Sequence, residues 1–214
     1  MVRPRGARQR APVVVERLAE MYPDAHCALD HRDAYELLVA TILSAQCTDE
    51  RVNMVTPAVF EQYPTAAELA RADPEQLEEL VRSTGFYRSK AKNLIGMAQR
   101  LVEVHGGEVP TELDELTELP GVGRKTANVV RSVAFDLPGL PVDTHVGRLT
   151  RRLGITRETD PVKIELELNE LVPPAERGRF SLRLIDHGRA VCDARRPRCA
   201  ECELVDICPS AGKV

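Results

Sequence analysis

The 214-residue chain has no tryptophan, and only 4% of its residues are aromatic. A core must then be built mainly from Leu, Val, Ile and Ala, and with 43% hydrophobic residues there are enough for one domain or two small ones. An excess of positive charge is missing as well. The formal net charge is −4, so the average charge does not mark a nucleic-acid binder, and only a local patch can meet phosphates. No run of about 18 apolar residues exists, which excludes a membrane-spanning helix. The basic start, Met1 to Arg10, is not followed by an apolar segment, so it does not read as a secretory signal. It is expected to be a loose arm that touches phosphates weakly. Convincing strand pairs and solenoid-length repeats are also lacking.

Helix punctuation dominates what is present. Asp33-Ala34-Tyr35-Glu36 and Thr65-Ala66-Ala67-Glu68 have the form of capping boxes. Asp73-Pro74-Glu75-Gln76 sets a cap before a proline at the first helical position. Ser89 is expected to open a helix that Gly106-Gly107 closes, and Thr111 precedes a short one that stops at Pro120-Gly121. Residues 164–168 fit both periods, because Ile164, Leu166 and Leu168 alternate while Ile164, Leu168, Leu171 and Val172 share a helical face. Asp160-Pro161 makes a good helix start, so a helix is expected there. The fold class is all-α, with many short helices and tight turns.

Three motifs carry chemistry. Four of the six cysteines fall within 17 residues, as Cys192-x6-Cys199-x2-Cys202-x5-Cys208. Without an export signal a reducing compartment is expected, where such a cluster binds metal rather than forming disulfides. Thiolates suit zinc or an iron–sulfur centre; a single C-x2-C with unequal outer spacers favours a cubane cluster and leaves zinc open. Cys27 and Cys47 read as buried small hydrophobes.

The second motif is Leu119-Pro120-Gly121-Val122-Gly123-Arg124-Lys125-Thr126-Ala127. One helix ends at the proline, the glycines permit a tight turn, and the next helix starts near Arg124. Free N–H groups at that start suit a phosphate, as in a helix-hairpin-helix that grips a nucleic-acid backbone. Lys125 stands in the first turn, at the positive end of the helix dipole. That position disfavours an ammonium, and a Schiff-base nucleophile must be a neutral amine. The third motif is Val142-Asp143-Thr144-His145. Asp143 reads first as an N-cap, and second as a partly buried carboxylate facing Lys125 that takes a proton or stabilises charge on a sugar ring. The two roles are compatible. Basic residues gather beside these motifs: Arg124, Lys125, Arg131, Arg148, Arg151 and Arg152 stand between Gly121 and Arg152 against only Asp136 and Asp143.

On these residues, together with Leu43-Ser44-Ala45-Gln46 and Gly85-Phe86-Tyr87-Arg88-Ser89-Lys90-Ala91, the chain resembles the endonuclease III family of helix-hairpin-helix DNA glycosylases from about Val14 to Pro209. The resemblance implies a six-helix barrel domain over 27–137 and an iron–sulfur cluster domain made of 1–26 and 138–214, with a DNA cleft between them. It implies a bifunctional N-glycosylase and AP lyase that removes oxidised pyrimidines from double-stranded DNA in base excision repair. Lys125 and Asp143 would be catalytic. Gln46 would fill the hole left by a flipped base, and Phe86 would be the opposite wedge. Gly121, Val122, Gly123, Arg124, His145 and Arg148 would contact DNA, and Ser44 and Asp49 would shape the base pocket. Cys192, Cys199, Cys202 and Cys208 would hold a [4Fe-4S] cluster. The implied enzyme is a monomer of the bacterial cytoplasm, associated with the nucleoid and not with a membrane. Two departures stand out: Phe86 replaces a usual aliphatic wedge, and Thr117, beside Glu118, replaces a frequent acidic residue. An adenine-glycosylase relative lacks a lysine at the position of Lys125. A DNA-binding module with a zinc knot, or an iron–sulfur electron carrier, leaves that lysine without a use.

Overall fold

The protein is described by a computed structural model covering residues 3–214. Among them stand eleven α-helices and no β-strand. The helices are α1 Ala7–Met21, α2 Ala34–Leu43, α3 Asp49–Gln62, α4 Ala66–Leu69, α5 Pro74–Val81, α6 Tyr87–His105, α7 Leu113–Thr117, α8 Arg124–Ala134, α9 Thr144–Arg152, α10 Pro161–Asn169 and α11 Arg177–Ala190. No helix among the described residues is long and apolar enough to cross a membrane.

Cys27–Phe135 forms one compact unit, and the residues up to His26 with Asp136–Val214 form a second. The division falls at Asp136, which adopts a left-handed φ of 51°, two residues before the boundary expected from sequence. Each unit has its own core. In the first, α2 is apolar nearly all round: every residue from Tyr35 to Leu43 is buried, as expected for a helix enclosed by others. It packs on α3, α6 and α8, while α4 and α5 cover α6. In the second, Val14 and Leu18 of α1 meet Val146 and Leu149 of α9, Ile164 and Leu168 of α10, and Phe180 and Leu184 of α11.

The local signals act as their chemistry dictates. Asp73, Asp143 and Asp160 each accept the N–H three residues ahead, and Thr65 with Glu68 closes a complete capping box. Residues 161–169 are helical, so the start at Asp160-Pro161 outweighs the alternation at 164–168. Three expectations need correction. Asp33 caps α2, but the Glu36 carboxylate turns to the Arg32 backbone N–H and guanidinium instead of completing a box. Helix α6 begins at Tyr87 rather than near Ser89, because Phe86, in a left-handed conformation, already accepts the Lys90 N–H. The basic N-terminal stretch is not a loose arm over its described part. Ala7 is buried at the start of α1, Arg3 pairs with Glu170 at 2.5 Å, and Arg10 donates to the Gly154 carbonyl at 2.7 Å. Met1 and Val2 lie outside the described residues.

Phe180 has 0% exposure at the centre of the second core. Phe180→Ala is expected to lower unfolding stability by about 3–5 kcal/mol, read as a shift of the urea midpoint; a loss under about 1 kcal/mol would mean that this core is loosely packed.

Candidate functional site

The hairpin between α7 and α8 is held from inside by Leu119 and Val122, both buried, with the Val122 N–H donating to the Leu119 carbonyl at 3.0 Å. Pro120, Gly121 and Gly123 face outward. Gly121 has φ 80°, and a Cβ there would stand 2.8 Å from the Cβ of Asn93 on α6. Only glycine meets both constraints. Gly123 is the N-cap of α8 and supplies no side chain to it, and the space where its Cβ would lie is open. The first intrahelical bond runs from the Ala127 N–H to the Gly123 carbonyl. The first turn of α8 thus starts without a side-chain cap, and an uncapped helix start suits an anion. Lys125 is exposed at this same end, and Arg124 is half-buried.

Asp49 is the first residue of α3, capped by Thr48. The structure gathers it near Lys125 around Cys27. Burial pushes the Cys27 thiol up, a backbone N–H at Leu29 pulls it down, and the charges of Asp49 and Lys125 act on it in opposite senses. Cys27 thus lies beside the candidate lysine, a placement its lone position in the sequence did not signal.

Two further turns carry left-handed non-glycine residues. Gln46 has φ 53° just after α2, where Ser44 ends the helix with its hydroxyl bonded to the Thr41 carbonyl at 2.9 Å. Phe86 has φ 47° after Gly85, and its ring is 67% exposed. Side chains held in this region cost about 1–3 kcal/mol each and persist only where the surroundings enforce them. A large apolar ring left in solvent on an enforced turn is the opposite of what core packing produces. Thr117 is exposed and bonds the Asp114 carbonyl at 2.9 Å.

In the second unit, half-buried Asp143 caps α9, accepting the Val146 N–H at 2.8 Å. Two residues on, the His145 Nδ1 lies 3.2 Å from an Arg148 nitrogen. A guanidinium can only donate, so Nδ1 accepts and the proton sits on Nε2. Arg148 also reaches the carbonyls of Gly188 and Cys192, at 3.3 and 3.1 Å. A Cβ on Gly188 would come within 2.5 Å of the His145 Nδ1, so glycine lets α11 approach α9 this closely. Burial holds the His145 imidazole below the usual histidine range; Arg148 and Arg189 act in the same sense, and Asp143 and Asp193 oppose them.

The four C-terminal cysteines line one cavity with Leu149, Arg152 and His187. Among the described residues no three His, Cys, Asp or Glu side chains are grouped closely enough to hold a single metal ion. The sulfurs nevertheless act on one another. Burial pushes the thiols of Cys202 and Cys208 up, and the charges of the other cysteines raise them further; backbone N–H groups at Leu204 and Ser210 oppose this. Four cysteines around one cavity are a donor set that fits an iron–sulfur cluster. Polar neighbours are already in place. Arg152 reaches Cys192 Sγ at 3.4 Å and the carbonyls of Asp193 and Ala194 at 2.6 and 2.8 Å. Buried His187 stands 3.5 Å from Cys202 Sγ and 3.0 Å from the Tyr22 hydroxyl.

Residues 39–174 match the HhH-GPD superfamily of base excision DNA repair proteins. An endonuclease III of Synechocystis is 55% identical over 205 residues, covering 95% of this chain and 94% of that protein. One of Bacillus subtilis is 46% identical, covering 93% and 91%. The chain belongs to the endonuclease III family. Among solved structures, a trapped covalent endonuclease III–DNA intermediate, an estranged-adenine complex, superposes with a TM-score of 0.90 at 44% identity, covering 95% of this chain and 96% of that one. As an endonuclease III family member the chain thus combines two things: a helix start left open beside an exposed lysine, and a second helix capped by a half-buried aspartate.

Gly121→Ala is expected to weaken duplex affinity about tenfold in fluorescence anisotropy, because the added Cβ strains φ and displaces Asn93; unchanged affinity would show that the turn does not hold the backbone. His145 yields a pH expectation with a definite sign. Its folded midpoint lies below its unfolded one, so between that depressed value and about pH 6.5 the unfolded chain binds more protons. Stability therefore rises with pH across this window and is lost on acidification through it. NMR titration of the His145 ring should give a midpoint below about 6.5, and a midpoint above it would contradict the burial assigned here.

Proposed function

We propose that the chain is a bifunctional DNA glycosylase and AP lyase of base excision repair acting on oxidised pyrimidines. The observation that carries this reading is Lys125, exposed in the first turn of a helix whose leading N–H groups have no side-chain cap. A phosphate on those N–H groups brings a nucleotide to the amine. The lesion is swung out of the duplex, the position enzymes need for chemistry on a base. Gln46 and Phe86 enter the space it leaves, and Ser44 and Asp49 line the pocket that receives it. Val122 supports the turn of Gly121 and Gly123, and Arg124, His145 and Arg148 contribute to DNA contact.

The neutral amine of Lys125 attacks the sugar C1′. The C1′–N bond breaks, and the base leaves with the electron pair and takes a proton from water. Asp143 accepts the proton released from the amine and stabilises positive charge on the ring. Ring opening gives an imine between Lys125 and C1′, which acidifies the C2′ hydrogen. Loss of that proton expels the 3′ phosphate, and water hydrolyses the imine to free Lys125.

Cys192, Cys199, Cys202 and Cys208 would hold a [4Fe-4S] cluster, which would supply a rigid anchor for the loop carrying Arg195, Arg196 and Arg198. In this reading 27–137 is the hairpin-bearing barrel, and 1–26 with 138–214 is the cluster domain. In this reading the enzyme acts as a monomer on the nucleoid of a bacterial cytoplasm; that its relatives come from the bacteria Synechocystis and Bacillus subtilis fits the bacterial setting.

The test is borohydride reduction of the protein on a duplex with one thymine glycol. A covalent adduct is expected with the native chain, and none with Lys125→Gln. Equal trapping by both would move the nucleophile elsewhere, and base release without trapping would mean that no lyase step occurs.

A further inference from the structure

Lys90 is 4% exposed, although it carries an ammonium. Its Nζ donates to the Leu43 carbonyl at 2.8 Å and to the Thr84 carbonyl at 2.7 Å, and its backbone N–H donates to the Phe86 carbonyl at 3.0 Å. Burial holds the amine below the usual lysine range, with only the Cys47 thiol opposing, so no carboxylate accounts for its position. A buried ammonium is costly unless its donors are used. Here two of its three donors are spent on backbone at two particular places. Leu43 ends α2 three residues before Gln46, and Thr84 stands two residues before Phe86. The two left-handed turns at Gln46 and Phe86, 40 residues apart in sequence, are therefore joined through one side chain.

We propose that Lys90 is the positioning residue that sets the spacing of Gln46 and Phe86, and thereby the preference for a lesion over intact duplex. This rests on the reading that Gln46 and Phe86 enter the site of the flipped base. Lys90 itself touches no DNA. Its two carbonyl bonds fix where both strained turns begin, so the two side chains enter the duplex as a pair at a set separation. An amine engaged in this way is also withdrawn from Schiff-base chemistry.

The experiment compares Lys90→Met, Gln46→Ala, Phe86→Ala and the Lys90→Met/Phe86→Ala pair. Each is measured for affinity to a tetrahydrofuran abasic-site duplex and to the same duplex undamaged, with folding checked by circular dichroism. Lys90→Met is expected to lose about tenfold in abasic-site affinity and less than about twofold for undamaged duplex, and to add little to Phe86→Ala, since coupled residues are non-additive. If Lys90→Met does not fold, Lys90→Gln, which keeps donors for one carbonyl, should show the same loss of preference in smaller measure. Native preference in a folded Lys90 variant would overturn the proposal, as would strict additivity with Phe86→Ala. Gln46→Ala and Phe86→Ala separate the two ideas. If both bind the abasic duplex as the native chain does, the insertion reading itself fails; if both lose affinity while Lys90→Met does not, only the role of Lys90 falls.

Discussion

Helix α8 begins at a glycine that has no side chain to cap it, and the proposed function depends on that. Six other helices begin with an Asp or Thr whose oxygen satisfies the first turn. At α8 the N-cap is Gly123, which has none to offer. An uncapped helix start suits an anion, and the helix dipole adds to the attraction. In the proposed reading this one local omission serves two purposes, holding a phosphate and placing the Lys125 amine beside it. Gly121 makes it geometrically feasible, by turning the chain where any side chain would strike Asn93.

The second unit depends on a different electrostatic constraint. Burial makes the thiolates of Cys202 and Cys208 costly, and the charges of Cys192 and Cys199 add to that cost. The surrounding donors lower that cost. Arg152 faces Cys192 and the two carbonyls that follow it, and His187 faces Cys202 with Tyr22 behind. With Cys202 as a cluster-bound thiolate, which can only accept, the His187 proton would sit on Nε2 and Nδ1 would accept from the Tyr22 hydroxyl. Burial pushes the Tyr22 phenol up, which keeps it a donor. Arg148 belongs to the same scaffold, with its guanidinium on the carbonyls of Gly188 and Cys192. Its placement ties the helix capped by Asp143 to the cysteine loop.

Features written in neighbouring residues were legible in the sequence. The caps at Asp73, Asp143 and Asp160, the hairpin glycines and the 161–169 helix rest on bonds that span three or four residues. Features set by distant partners were not. Glu36 left its box for Arg32, and Arg3 and Arg10 found Glu170 and Gly154 more than 140 positions away, turning an expected loose arm into packed structure. Lys90 was visible as part of a motif, but its burial depends on carbonyls from two other segments. Cys27 read as a small hydrophobe because nothing nearby in the chain announces Asp49 or Lys125. The left-handed φ at Gln46 and Phe86 has no sequence signature, since neither residue type favours it.

The most direct test of the central claim is to locate the bond. The borohydride-reduced protein–DNA adduct should be digested and its sugar-bearing peptide identified by mass spectrometry. The account expects the added mass on Lys125, the amine at the open start of α8. Mass on the N-terminal amine or on any other lysine would contradict it, and would leave the hairpin as a DNA grip without a nucleophile.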